Sequence, residues 1–68
     1  MYALLNIDTD EYVSSFGADR EVYFNMDEDR AKRWKTEDGA QRTLDRLYSK
    51  GDLPANIDVR VVEVDYVW

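Results

Sequence analysis

The chain has no cysteine and no histidine. The first absence excludes a disulfide framework, a thiolate metal site and a cysteine nucleophile. The second removes the commonest general base and the commonest metal ligand, so a Ser-His-Asp arrangement cannot be built. Glycine is scarce: Gly17, Gly39 and Gly51 lie too far apart to form a phosphate-cradling loop. Proline occurs once, at Pro54. No apolar run approaches the length of a membrane span, and the first residues lack the basic-then-apolar pattern of a signal peptide. Positive charge is in the minority, with 9 Lys/Arg against 15 Asp/Glu and a net charge of −6 over 68 residues. These limits predict one small, soluble, cytoplasmic domain spanning 1–68, with no membrane contact and no cofactor.

What is present is apolar enough to fold. Hydrophobic residues make up 44% of the chain and aromatics 13%, too much for a disordered acidic tail. Tyr2 to Ile7 is a short apolar run, stopped by Asp8-Thr9-Asp10-Glu11 and resumed by Tyr12-Val13-Ser14-Ser15-Phe16. Two such runs around a polar tetrad read as an antiparallel hairpin, and Glu21 to Met26 reads as a third strand after a break at Gly17 to Arg20. Asn25 or Asp27 caps a short helical turn through Arg33, after which Trp34 enters the core. Thr36 then caps a helix over about 37–49, with Ala40, Leu44, Leu47 and Tyr48 on one face and Gly51 ending it. Ile57 to Trp68 reads as a long strand whose alternation slips at Val61-Val62. A β-bulge there would place Asp58, Arg60, Glu63 and Asp65 on one outer face; the alternative is a strand covered on both sides.

The order β-β-β-α-α-β predicts an α+β fold, a four-stranded, mainly antiparallel sheet with one main helix on one face. The expected core comprises Leu5, Ile7, Val13, Val22, Phe24, Ala31, Trp34, Ala40, Leu44, Leu47, Val59 and Val64.

Charge is distributed unevenly. Residues 30–50 carry a net +4, and the remainder carries −10. Asp8-x-Asp10-Glu11 and Asp27-Glu28-Asp29 lack the spacing and turn glycine of a calcium loop, and they read as a solvated turn and a helix start. Arg42, Arg46 and Lys50 form a basic stripe along the helix, a candidate contact for phosphate or an acidic partner. The aromatics of the strands are flanked by acids, which argues against direct nucleic-acid binding on the sheet. The opposite idea fits the charge better. Glu63 and Asp65, two residues apart on a strand, are spaced about 6.8 Å, like two axial steps along a DNA strand. Asp8, Asp10, Glu11, Asp19, Glu21 and Asp58 extend this acidic set.

Phe24-x-x-Asp27-x-x-x-Ala31-x-x-Trp34-x-Thr36-x-x-x-Ala40-x-x-x-Leu44, followed by Val61-Val62-Glu63-Val64, resembles a loose group of small phage and bacterial hairpin–helix–strand domains. That resemblance implies a fold and no catalytic residue. In size and charge the chain is also similar to phage anti-CRISPR and anti-restriction proteins, which occupy the DNA sites of nucleic-acid-handling machines. The expectation is a non-enzymatic inhibitor whose acidic residues enter the basic groove of a protein partner. The alternative is an accessory module that self-associates, as a homodimer, or binds another partner through its sheet edge and Trp68, with its charge serving solubility; contact with nucleic acid through the Arg42/Arg46/Lys50 stripe ranks third.

Overall fold

In a computed structural model, which describes residues 1–16 and 22–64, four strands form an antiparallel sheet. They are β1 (Tyr2–Asn6), β2 (Glu11–Phe16), β3 (Val22–Asn25) and β4 (Val59–Glu63), in the spatial order β3-β2-β1-β4. One helix, α1 (Glu37–Ser49), packs on β1 and β4. This is the α+β sheet-and-helix arrangement read from the periods of the sequence. The expected short helix reduces to a single 3-10 turn, Glu28–Arg30, capped by the Asp27 carboxylate, which accepts from the Asp29 N–H at 2.9 Å.

Local signals fix both ends of α1. The Thr36 hydroxyl accepts from the Gly39 N–H at 3.1 Å. Glycine at this position keeps the cap accessible, because a Cβ there would come within 3.1 Å of the Thr36 Oγ1. At the other end Gly51 takes φ 79°, a left-handed conformation favoured by glycine. The Gly51 N–H donates to the Tyr48 carbonyl and the Asp52 N–H to the Leu47 carbonyl, which closes the helix in a Schellman motif. This turn drives Leu53 into the core at 2% exposure, a residue the helical period does not reach.

Beneath α1 lies the larger core: Leu4, Val13, Ala40, Leu44, Leu47, Leu53 and Val59, with Phe16, Val22, Phe24, Trp34 and Val61 packed against it. Val22, Phe24 and Trp34 are therefore half-buried members of the core. On the opposite sheet face a smaller cluster joins Ala3, Ala31 and Val64 to Tyr12 and Val62.

Two expectations are corrected. In β1 the buried residues are Ala3, Leu4 and Asn6; Leu5 is half-buried and Ile7 is 41% exposed. Alternation puts Leu5 and Ile7 on the sheet face away from α1. There Ala31 covers only the Ala3 end of the strand. The bulge is also elsewhere. β1 and β4 pair without a shift from Tyr2↔Glu63 to Asn6↔Val59. Val59 and Val61 thus face α1 while Val62 faces the smaller cluster, and the slip in the sequence marks a strand covered on both sides. The register shift falls instead between Val13 and Ser15, in the pairing of β2 with β3. One extra residue there lets Val13 and Phe16, three apart, share the helix side.

The segment after the 3-10 turn links the two faces. Ala31 belongs to the smaller cluster and Trp34 to the larger one. In between, the Lys32 N–H donates to the Val13 carbonyl at 3.0 Å, and Tyr2 and Trp34 exchange two backbone hydrogen bonds at 2.9 Å. Since β1 and β2 pair directly only at Leu5↔Tyr12 and Asn6↔Glu11, this segment fills the gap where they diverge. Trp34 then stacks on Phe16 with ring centroids 6.4 Å apart, and the Lys32 ammonium lies 5.3 Å from the Phe16 ring centre.

Candidate partner-binding surface

The β1–β2 turn gathers the acids of the first hairpin at one end of the sheet. Asn6, though polar, is only 6% exposed, and its Oδ1 accepts from the Asp8 N–H at 3.0 Å. The Asp10 N–H donates to the Asn6 carbonyl at 2.9 Å, and Asp10 takes φ 62°. A short polar side chain tolerates this left-handed position better than most residues do. With its backbone groups held inward, the turn presents the Asp8 and Asp10 side chains to solvent, and Glu11 follows half-buried. None of the three carboxylates forms an ion pair among the described residues.

Asp58 joins this end from a distant part of the chain, because its carbonyl accepts from the Ile7 N–H at 3.0 Å. Its carboxylate, however, is engaged: both oxygens accept from the Arg60 guanidinium, at 3.1 and 3.0 Å. This pairing, by hydrogen bond first and by charge second, with a smaller contribution from Asp8, raises the Arg60 pKa above its ordinary value. Asp58 therefore contributes little uncompensated charge.

Glu63 lies elsewhere. It pairs with Tyr2 at the far end of β4, five residues from Asp58 and about 16 Å along the strand. It also shares its sheet face with Val59 and Val61, whereas Asp58 and Arg60 lie on the other. The expected single outer face of Asp58, Arg60 and Glu63 is thus divided between two faces and two ends, because the bulge that would unite them is absent from β4. Asp19, Glu21 and Asp65 lie outside the described residues.

The basic stripe is on the solvent side of α1, with Arg42, Arg46 and Lys50 all exposed. Arg42 is paired with Asp38 at 3.3 Å, both side chains being about four-fifths exposed. Gln41 donates to Asp45 at 3.0 Å on the same side of the helix. The stripe is therefore interleaved with acids, and only Arg46 and Lys50 lack an ion pair among the described residues. No group of three or more acids or other metal-ligating side chains is placed to hold a metal ion among the described residues. None of the described helices is long and apolar enough to cross a membrane. No protein-family model, curated protein or solved structure matches the chain.

Proposed function

We propose that this chain is a non-enzymatic inhibitor that carries its acidic sheet end into the basic groove of a nucleic-acid-handling protein, in place of DNA. The observation that supports this reading is the β1–β2 turn. A buried asparagine and a left-handed aspartate shape a turn that brings three carboxylates to one end of the sheet, none of them in an ion pair among the described residues. A turn whose backbone is already hydrogen-bonded has less backbone freedom to lose on binding, and charge concentrated at one end steers association with a basic surface. The acids of the last strand are secondary in this reading, since Asp58 is paired and Glu63 lies at the other end.

The test is to isolate the bound protein from the native host and to measure its affinity for the wild type and for Asp8→Lys/Asp10→Asn. Both positions are exposed, and asparagine tolerates the left-handed backbone of Asp10 as aspartate does, so the double variant should keep its thermal midpoint while losing binding at least about tenfold, with wild-type affinity falling as salt rises. Arg42→Glu/Arg46→Glu should bind that protein as the wild type does. If the second variant alone loses binding, and the free protein shifts nucleic acid in a gel, the helix stripe is the interface and the acidic end is not.

A further inference from the structure

Among the described residues β4 is an edge of the sheet, and a side chain already occupies part of that edge. The Ile7 N–H donates to the Asp58 carbonyl, and the Val64 N–H donates to the Met1 carbonyl at 2.8 Å. With the unbroken β1–β4 register, Asp58, Arg60, Val62 and Val64 turn their backbone groups inward to β1. Val59, Val61 and Glu63 turn theirs outward, where a further strand would bond. The Tyr48 hydroxyl intervenes here: it donates to the Ile57 carbonyl at 2.7 Å and accepts from the Val59 N–H at 3.0 Å. The Tyr48 ring packs against the larger core, so the hydroxyl is held in place by the helix.

We infer that Tyr48 is a lock on a strand-pairing edge whose occupant is a second copy of this chain. The register that suits this edge is antiparallel and centred on Val61. It sets Val61 beside Val61 of the second copy, Val59 beside Glu63, and Arg60 beside Val62. No like charges stand opposite one another, and every outward backbone group from Val59 to Glu63 meets another outward group. A chain of net −6 thus meets its own copy on a stretch where charge does not oppose pairing. Pairing in this register requires the Val59 N–H, and Tyr48 holds it. The hydroxyl thereby blocks the edge at its first residue.

Three chains and one exchange experiment test this. Tyr48→Phe keeps the ring and removes only the lock, so its weight-average mass in sedimentation equilibrium should rise toward twice the wild-type value. Val61→Pro added to Tyr48→Phe should return that mass to the wild-type value. Proline there removes an outward N–H and leaves the β1 ladder intact. In the wild type, the Val59 amide should exchange with deuterium at least about tenfold more slowly than the outward amides of Val61 and Glu63. A folded Tyr48→Phe of unchanged mass overturns the inference, as does a dimer that survives Val61→Pro. Should Tyr48→Phe fail to fold, the exchange pattern decides, and a Val59 amide as fast as that of Val61 overturns it equally.

Discussion

The two faces of the sheet are closed by very different means. Under α1, three helix residues and four from the sheet and the loop after the helix make a continuous buried cluster, and caps at both helix ends hold the lid in place. On the other face Ala31, which follows the exposed 3-10 turn, packs with Ala3 and Val64 at one end only. Ile7 at 41% and Tyr23 at 46% remain open beyond it. A helix buries an area set by its length, whereas a turn buries only what lies under one or two residues. The lesson is that stability resides on one face, which leaves the turn end of the sheet free to carry charge.

Substitutions on the two faces should separate accordingly. The largest effect should follow Leu47→Ala, a cost of about 2–5 kcal/mol in chemical denaturation, because it opens a cavity between α1 and the sheet. Ala31→Leu should cost about 1–3 kcal/mol, since the smaller cluster is packed around alanines and has no room for three more carbons. A neutral result there would mean that the second face is looser than its burial implies. Thr36→Ala should cost about 1 kcal/mol, the usual worth of a helix N-cap hydroxyl, and should lower the protection of the Gly39 amide in particular. Smallest of all, Ile7→Ser should change stability by less than about 0.5 kcal/mol, as an exposed position does. A cost above about 2 kcal/mol would show that Ile7 is covered in solution, by another molecule or by the chain itself.

How much of this was legible in the sequence depended on whether the signal was local. Thr36 and Gly51 are punctuation marks that act within one turn, so the helix over 37–49 was readable to the residue. The bulge was also written in the sequence, as the two serines separating Val13 from Phe16. The more conspicuous Val61-Val62 doublet is not a bulge, because its two residues serve opposite faces. What covers β1 could not be read, because the choice between Leu4 and Leu5 depends on which face receives the helix. The burial of Asn6 is likewise set by the turn it anchors. At the candidate site, Asp8, Asp10 and Glu11 were legible because they fall within one four-residue turn segment. The Arg60 pair that neutralises Asp58 joins positions i and i+2 at the start of β4, a spacing visible in the sequence. The separation of Glu63 from the other acids was hidden, since it follows from the register of β4 against β1.

The most direct measurement of the functional proposal is competition on the isolated partner. With the partner held at fixed concentration, duplex DNA is titrated against the bound wild-type protein, and the fraction displaced is read at low and moderate salt. If the acidic turn occupies the DNA groove, DNA should displace the protein in full, and Asp8→Lys/Asp10→Asn should compete with DNA at least about tenfold more weakly than the wild type. A stable complex of partner, DNA and this chain together, with the affinity of each unchanged by the other, would contradict the proposal.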